Sequence, residues 1–406
     1  MNAPQRPGGI DLGEIFRKYG PAYRDVYNLP LKSLKVMSAI EKCRTEALGG
    51  HVYQCDNCGH EKTAYNSCRN RHCPKCQSMA KEKWLSARKK ELLPVPYLHA
   101  VLTIPDTLNP VALVNQAVIY DILFRAGKET FLELGRDPKH LGAEIGLIAI
   151  LHTWSQILLD HPHLHCIIPC GGLTEDGKQW LFPKKHREGK EFFVHVNVIS
   201  DLFKKKFLSY FDVAYKAGEL KFVGKTAYLN DIQSYERFKD NLYKTTWVSY
   251  CKKPFGGPEQ VLEYLGRYTH RVAISNHRIM KVENDEVTFS YRDSKDDNKK
   301  KHMPLEVFEF IRRFLLHVLP PRYVKIRYCG LLNNRKKKEK LKLCREALSV
   351  PASQNKEDTK TESWEEMLLR LTGVDPTICP NCGKGRMVRR RILRYGAASY
   401  AATSYI

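Results

Sequence analysis

The sequence lacks any apolar stretch long enough to cross a membrane, and it is short of acidic residues. The apolar run Ile145–Leu151 falls well below the roughly 20 residues that a spanning helix needs, and no apolar signal core follows Arg6. Among 406 residues, 44 Asp and Glu face 67 Lys and Arg, so the formal net charge is +23. We therefore expect a cytoplasmic protein, without a membrane partner, that binds a polyanion.

The cysteines do not follow the pattern of a disulfide framework. There are 13, an odd number, and six of them lie in one block that ends at Cys76. In that block Cys55 and Cys58 form one C-x-x-C pair, Cys73 and Cys76 form a second, and 14 residues separate the two pairs. This spacing is typical of a closed four-cysteine zinc site. We predict that these four residues bind one structural Zn²⁺ ion.

Several further metal-binding side chains remain in and beyond the block. Those within it are Cys43, His51, His60, Cys68 and His72. They are enough for a second zinc ion, although the alternative is that several are ordinary surface groups. Cys379 and Cys382 form half of another site, whose other ligands the sequence does not identify. Arg69 and Arg71, close to Cys68, are suited to contacts with DNA phosphates.

Changes in composition divide the chain into four predicted segments. Residues 1–80 are predicted to be a helical lead-in and a zinc-binding domain, and residues 81–345 an α+β domain. Residues 346–366 contain few apolar side chains, which predicts a flexible linker. Residues 367–406 are a basic tail that contains the last C-x-x-C pair.

Hydrophobic periodicity predicts the elements of the α+β domain. The predicted strands include Tyr97–Ile104, Ile145–Trp154 and Leu164–Ile168. A tight loop around Asp160–Pro162 is expected to join the last two. Residues 200–250 are predicted to be mostly helical, Asn284–Asp285 to be the turn of a strand pair, and Met303–Leu319 to be an amphipathic helix.

Two histidines alternate along one predicted strand. Because alternate side chains of a strand share a face, His163 and His165 point the same way, roughly 6 to 7 Å apart, and can bind one divalent ion. The alternative is that they line the polar side of a half-exposed strand. Gln156, on the preceding predicted strand, and His161 are the candidates for a third ligand. An imidazole and amide-oxygen site suits Mg²⁺ or Mn²⁺, with zinc as a competitor.

Two tyrosines lie one helical turn apart in a later segment. Tyr264 and Tyr268 are at i and i+4, so on a helix they share a face. An aromatic core pair is the simplest alternative, but Arg267, His270 and Arg271 surround them with cationic groups suited to a phosphate. Tyrosine is a known covalent nucleophile, and a metal held by the histidines would neutralise the phosphate oxygens that it attacks.

These motifs together resemble a known family. His163-Leu164-His165 with Tyr264-x-x-x-Tyr268 resembles the His-hydrophobic-His (HUH) two-tyrosine rolling-circle transposases of the insertion sequence ninety-one type. The cysteine block resembles the zinc-binding domain of that family. The phrases HTWSQILLDHPHLHCIIPCGGL, EYLGRYTHRVAISNHRI and IRYCGLL resemble its catalytic domain, and CPNCGKGRM its C-terminal end. The resemblance therefore extends over most of the chain.

The resemblance implies both a fold and an activity. It implies a ferredoxin-like or RRM-like α+β nuclease domain with an antiparallel sheet and flanking helices. It implies Tyr264 and Tyr268 as nucleophiles that cut single-stranded DNA at transposon ends, leaving a 5′-phosphotyrosine and a free 3′-OH before strand transfer. His163 and His165 would bind the catalytic Mg²⁺ or Mn²⁺. Hairpin or duplex ends, host replication proteins and a place at the bacterial nucleoid are the implied partners and location.

The same residues also allow other functional interpretations. A non-catalytic zinc-ribbon protein would bind nucleic acid and use the His strand and the tyrosines only for packing. A plasmid-type replication initiator would share the chemistry, and a metallo-hydrolase using water on the histidines would form no covalent adduct. Basic tracts such as Lys204–Lys206 and Arg389–Arg391 fit a DNA-binding surface in several of these interpretations. The alternative for each tract alone is an ordinary solvent-exposed surface.

Overall fold

A computed structural model describes most of the chain and divides it into two compact units. The residues that it describes are 10–183, 194–255, 260–261, 266, 272–293, 296–351 and 362–394. The first unit comprises Met1–Glu82, His270–Val318 and Asp358–Ile406. The second comprises Lys83–Thr269 and Leu319–Glu357.

Helices and strands alternate irregularly along the described residues. The helices are α1 (Leu12–Val26), α2 (Leu31–Glu41), α3 (Pro74–Lys89), α4 (Asn109–Val114), α5 (Gln116–Arg136), α6 (Val196–Lys216), α7 (Ile232–Lys244), α8 (Val307–Leu316), α9 (Lys337–Ala347) and α10 (Trp364–Thr372). The strands are β1 (Gly50–Cys55), β2 (Glu61–Tyr65), β3 (Tyr97–Thr103), β4 (Gly146–Trp154), β5 (Asp160–Pro169), β6 (Gly172–Leu173), β7 (Trp180–Leu181), β8 (Ser249–Phe255), β9 (Ile279–Glu283), β10 (Glu286–Asp293), β11 (Lys299–Glu306), β12 (Ile326–Gly330) and β13 (Met387–Leu393). The chain is thus α+β, as its sequence predicts, and its sheets are antiparallel. None of the described helices has the length and apolar character to cross a membrane.

The second unit is built on a five-stranded antiparallel sheet. Its strand order is β12-β4-β5-β3-β8, so β5 is the central strand. One face of β4 and β5 is continuously apolar and packs under α5 and α6, where Leu151, Leu164 and Cys166 are completely or almost completely buried. Ile148 and Ile167 belong to a second apolar cluster on the opposite face. Helices α5 and α6 therefore cover one face of the sheet. The opposite face can carry polar groups at one of its ends.

The first unit gathers three separate parts of the chain. Helix α1 begins with a capping box, in which Asp11 accepts from the backbone of Gly13 and Glu14. Its buried face contacts α8, where the rings of Phe16 and Phe314 meet edge to face 5.5 Å apart. Two three-stranded antiparallel sheets complete this unit, in the orders β13-β1-β2 and β11-β10-β9.

The observed units differ from the boundaries expected from composition. The change of unit after Glu82 lies close to the expected boundary at residue 80. Residues 270–318, expected inside the α+β domain, instead belong to the first unit, and so does the tail from residue 358. The pairing of β13 with β1 explains the placement of the tail, because it forms backbone hydrogen bonds between residues more than 330 positions apart. Residues 352–361 of the expected linker lie outside the described residues.

Two local expectations fail for identifiable reasons. The turn between β4 and β5 lies at Ser155–Leu159, not at Asp160–Pro162, which are the first residues of β5. Pro162 is accommodated there because the register between the strands shifts at this point, leaving no ladder bond for its missing N–H. The helix expected from Met303 begins only at Val307, because Met303 lies in β11. The Asn284–Asp285 turn is confirmed, with φ of 49° and 57°.

Candidate functional site: a histidine cluster and two cysteine clusters

Three imidazoles meet on one face of the large sheet. His152 on β4 lies directly opposite His163 on β5, and His165 follows two residues later on the same face. One ring nitrogen from each of the three residues lies within 4.8 Å of those of the others. The rings are nearly buried, since His152 is 3%, His163 9% and His165 6% exposed.

Hydrogen bonds fix which ring nitrogens face each other. His163 Nδ1 lies 2.5 Å from the carbonyl oxygen of His161, so it carries the proton and donates. The other nitrogen of this ring, Nε2, lies 3.1 Å from His165 Nε2. His163 Nε2 is then unprotonated in the neutral ring, and His165 Nε2 is also unprotonated when the proton of that ring lies on Nδ1. The two Nε2 atoms match two adjacent corners of a metal site, because bonds of about 2.1 Å at 90° place neighbouring nitrogens about 3 Å apart.

A fourth histidine supports the cluster from the neighbouring strand. His99 on β3 is 2% exposed, and its Nε2 lies 2.9 Å from His165 Nδ1. The two rings are stacked with an angle of 12° between them. His99 therefore occupies the nitrogen of His165 that points away from His163. Such a hydrogen bond from behind a ligating histidine is common in metal sites, because it fixes the ring and its tautomer.

The residues expected to supply the third ligand take other positions. Gln156 lies in the turn after β4 and not on the preceding strand, because β4 ends at Trp154. The ring of His161 is 39% exposed and its Nδ1 is 3.7 Å from Asp106 Oδ1. It is the backbone carbonyl of His161, not its ring, that contacts His163. Among the described residues, His152 completes the group in place of both.

The tyrosine motif falls in a part of the chain for which little is described. Tyr264, Tyr268, Arg267, His270 and Arg271 all lie outside the described residues. Their predicted roles therefore stay predictions.

The first cysteine cluster lies in the N-terminal part of the first unit. Cys43, Cys68, Cys73 and Cys76 place their sulfur atoms within 4.8 Å of one another. Cys43 Sγ is 3.6 Å from the sulfurs of both Cys73 and Cys76, and Cys68 Sγ is 3.6 Å from that of Cys76. Zinc–sulfur bonds of about 2.3 Å in a tetrahedron give sulfur–sulfur distances of about 3.8 Å. The spacing therefore fits one tetrahedral Zn²⁺ ion.

The second cluster combines the first C-x-x-C pair with the last. Cys55 and Cys58 meet Cys379 and Cys382, again with all four sulfurs within 4.8 Å of one another. Cys55 Sγ is 3.7 Å from Cys382 Sγ, and Cys58 Sγ is 3.7 Å from Cys379 Sγ. The N–H of Gly385 donates to Cys382 Sγ and helps to lower the pKa of that thiol to about 6. A thiolate is the form that binds a metal.

The structure does not bring the four predicted zinc ligands together, because Cys55 and Cys58 do not join Cys73 and Cys76. The two pairs lie in different clusters, since β1 carries the first pair to β13 and the tail. The histidines considered for a second zinc are not members of either cluster: His51, His60 and His72. Cys43 and Cys68, considered with them, belong to the first cluster, together with Cys73 and Cys76.

The two arginines beside Cys68 differ in their surroundings. Arg69 is exposed and takes a left-handed backbone conformation with φ of 53°. Arg71 is half-buried, and burial lowers the pKa of its guanidinium. Arg69 is thus the freer of the two for contact with a phosphate at the surface.

Comparison with known families accounts for most of the chain. Residues 15–104 match a family described as "Transposase zinc-binding domain", of IS91 type, and residues 146–340 match one described as "Putative transposase". The first match contains the whole first cysteine cluster, and the second contains His152, His163 and His165. The zinc-binding match and the sulfur geometry agree that zinc is a structural metal of this protein. No solved structure matches the chain.

Two curated relatives match over nearly the whole sequence. The "Putative transposase y4qJ" of Sinorhizobium fredii is 46% identical over 381 residues, which are 94% of each chain. The "Transposase for insertion sequence element IS801" of Pseudomonas savastanoi is 28% identical over 351 residues, 85% of this chain and 80% of that protein. The 46% identity over 94% of the chain, together with the two family matches, shows that the chain belongs to the IS91-type transposase family.

Proposed function

We propose that this transposase cuts single-stranded DNA at the ends of its element by tyrosine attack on phosphorus, assisted by a divalent ion. The observation that carries the proposal is the convergence of His152, His163 and His165 on one face of the sheet. When the proton of the His165 ring lies on Nδ1 and is donated to His99, the two closest nitrogens, His163 Nε2 and His165 Nε2, can both bind a metal ion. This arrangement suits a metal-ion ligand set better than a packed core.

The bond changes follow from the chemistry of a phenol. The hydroxyl group of Tyr264 or Tyr268 loses its proton as its oxygen forms a bond to phosphorus, and the bond from phosphorus to the 3′ oxygen of the preceding nucleotide breaks. The departing oxygen takes up a proton and becomes a free 3′-OH, while the 5′ end stays on the protein as a phosphotyrosine. A later attack by a 3′-OH on that phosphotyrosine transfers the strand. No nucleotide triphosphate is needed, because the phosphodiester energy is kept in the adduct.

Two tyrosines allow two cuts without loss of the first end. While one holds a covalent strand, the other is free to attack at a second site. This property suits rolling-circle transposition, in which one strand is cut at both ends of the element.

The metal, when bound, would neutralise charge on the non-bridging oxygens of the attacked phosphate. The sheet holds the three imidazoles rigidly, since His152 and His163 are paired across strands and His99 and the His161 carbonyl fix the rings. Mg²⁺ and Mn²⁺ are the proposed ions. Gln156 and the His161 ring are not proposed as ligands.

The proposed partners are single-stranded DNA and hairpin or duplex transposon ends, at the bacterial nucleoid and with host replication proteins. Arg267, His270 and Arg271 next to the tyrosines are proposed to contact the attacked phosphate, and Arg69 and Arg71 to contact DNA beside the first zinc ion. The net charge of +23 supports a DNA partner, because basic proteins bind the phosphate backbone strongly at low salt.

The decisive experiment is a cleavage assay on a labelled single-stranded oligonucleotide that spans an element end. Wild type, Tyr264→Phe, Tyr268→Phe and the double variant are incubated with Mn²⁺ and run on a denaturing protein gel. Tyr228→Phe, an exposed tyrosine outside the motif, is the control. We expect a labelled protein band that the control keeps and the double variant loses.

The other outcomes select the competing functions. Cleavage without a labelled protein band would favour a metallo-hydrolase that uses water. If the wild type and all variants bind the oligonucleotide but none cleaves it, the result would favour a non-catalytic zinc-ribbon protein.

A further inference from the structure

The second cysteine cluster joins two segments that are far apart in the sequence. Cys55 and Cys58 lie at the end of β1, and Cys379 and Cys382 lie just before β13. Between the two pairs the chain runs through more than 300 residues, including the whole second unit. The matched zinc-binding domain ends at residue 104 and therefore contains only half of this cluster.

The two C-x-x-C turns have equivalent local structures. In each, the glycine after the second cysteine is left-handed, with φ of 70° at Gly59 and 64° at Gly383. In each, the N–H of that glycine donates to the carbonyl of the first cysteine, at 3.2 Å in the first turn and 2.9 Å in the second. Turns of this kind aim both sulfurs of a pair at one point.

Hydrogen bonds to sulfur link the two turns reciprocally. The side-chain amide of Asn57 lies 3.7 Å from Cys382 Sγ, and that of Asn381 lies 3.8 Å from Cys58 Sγ. The backbone N–H groups of Asn57 and Cys58 both point at Cys55 Sγ, each at 3.4 Å. Donors aimed at sulfur stabilise thiolates, which are the metal-binding form.

The sulfur spacing excludes a disulfide and fits a metal. A disulfide needs about 2.05 Å between its sulfurs, whereas both pairs that face each other between the turns are 3.7 Å apart. That distance is close to the tetrahedral edge of about 3.8 Å expected around zinc. Four thiolates without histidine or carboxylate select zinc over the hard cations.

We propose that Cys55, Cys58, Cys379 and Cys382 bind a second structural Zn²⁺ ion, which fastens the C-terminal strand to the N-terminal zinc module. This inference is independent of the nicking activity, because none of its ligands belongs to the proposed catalytic site. The strand that it fastens carries Arg389, Arg390 and Arg391, all of them exposed. β13 is an edge strand whose only described partner strand is β1, so the zinc ion and this pairing together set where the arginines lie.

The test counts the zinc ions bound by cysteines in the full-length protein. A thiol-specific mercurial releases zinc from thiolates, and a chromogenic chelator measures the amount, so a metal on the histidines is not counted. We expect two zinc ions per chain in the wild type and one in C379S/C382S. We also expect one in C68S/C76S, which breaks the first cluster, and two in the control C251S. A wild-type value of one, or a value of two in C379S/C382S, would overturn the proposal.

A second measurement uses only the wild-type protein, so it does not depend on whether the variants fold. The native wild type is alkylated with N-ethylmaleimide, with and without prior release of zinc, and the modified peptides are mapped by mass. We expect Cys58, Cys379 and Cys382 to be protected together and to become reactive together. Cys58 is decisive because it is exposed, so only a metal protects it. Rapid alkylation of Cys58 in the zinc-loaded protein would contradict the second site, and so would an iron–thiolate absorbance in place of one zinc.

Discussion

His99 and His165 are paired through their rings across adjacent strands, with His99 Nε2 2.9 Å from His165 Nδ1. Because this contact occupies Nδ1 of His165, its Nε2 is the nitrogen turned toward His163. For Nε2 to bind a metal, the proton must sit on Nδ1 and be donated to His99. In the proposed metal site, His99 would therefore determine the ligand form of His165 without itself binding the metal.

Replacing His99 should weaken metal binding without removing a ligand. We expect His99→Ala to lower Mn²⁺ affinity about 10- to 100-fold, the usual effect of losing such a supporting hydrogen bond. His99→Gln should recover part of the loss, because its amide oxygen also accepts a hydrogen bond. Titration calorimetry with the full-length protein measures both.

The control for this prediction is His317→Ala, which removes another histidine that is 2% exposed but lies in the first unit. It should leave Mn²⁺ affinity unchanged. If His99→Ala binds Mn²⁺ as the wild type does while His163→Ala does not, His99 has only a packing role.

His152 should behave as a ligand, whereas His161 should not. We expect His152→Ala to reduce Mn²⁺ affinity and oligonucleotide cleavage at least about 100-fold, since one of three protein ligands is lost. His161→Ala should change both by less than about threefold, because its contact with His163 is made by the backbone carbonyl, which the substitution keeps.

Gln156→Ala is the matched variant in the turn and should also have little effect on the metal. A loss in Gln156→Ala with no loss in His152→Ala would restore the ligand set first expected from the sequence. A folded His152→Ala protein with wild-type affinity would remove His152 from the site.

The sequence predicted that His163 and His165 share one face of a strand, but it did not predict that His152 lies beside them. The reason is the position of the turn between β4 and β5. Asp160-His161-Pro162 has the composition of a loop, whereas the real turn contains Leu158 with φ of 63° and no glycine. Placing the turn four residues too late destroys the register that sets His152 opposite His163. The contact of His99 with His165 was not predicted for a related reason, because no local sequence pattern indicates that β3 pairs with β5.

The cysteine pairs show a different limit. Their local spacing predicted C-x-x-C turns suited to a metal, but spacing within one block favoured joining Cys55 to Cys73. Only the pairing of β1 with β13 brings Cys379 and Cys382 to the first pair. Long-range strand pairing of this kind leaves no periodic signal in a single sequence. In addition, β13 is exposed and rich in arginine, so its composition does not indicate a strand.

Three imidazoles change the expected choice of metal. A site with an amide oxygen would tolerate Mg²⁺ well, but nitrogen ligands favour transition metals. We expect Mn²⁺ to bind at least about tenfold more tightly than Mg²⁺, as measured by calorimetry. His163→Ala, which removes the site, should abolish the difference. Comparable affinities for the two ions would instead indicate an oxygen-rich ligand set.

The arginines of β13 should contribute directly to DNA affinity. Each Lys or Arg that contacts a phosphate of single-stranded DNA adds about 0.7 to the slope of log affinity against log salt. We expect the triple change of Arg389, Arg390 and Arg391 to Ala to reduce that slope by about 2, in fluorescence anisotropy with a labelled oligonucleotide.

The comparison is the triple change of Lys204, Lys205 and Lys206 to Ala, which removes the same charge from α6. Two of these lysines already have protein partners, since Lys206 pairs with Glu133 and Lys204 donates to the carbonyl of Tyr243. We therefore expect a smaller change in slope. Equal changes would mean that net charge, and not the position of β13, sets the affinity.

The sheet that carries the histidines should be sensitive to a single methyl group at its edge. Gly330 ends β12 with φ of 59°, and a Cβ there would lie 2.0 Å from the carbonyl oxygen of Ile145, next to β4. Gly218 has a similar φ of 69° but open space around its Cβ position. We expect Gly218→Ala to cost about 1 kcal/mol from backbone strain alone, and Gly330→Ala about 3 kcal/mol, because the clash with fixed backbone is added. Denaturant unfolding of the two variants measures both costs, and the difference between them isolates the clash. If the two costs are equal, β12 moves away from β4 freely, and the edge of the sheet is not what holds His152 in place.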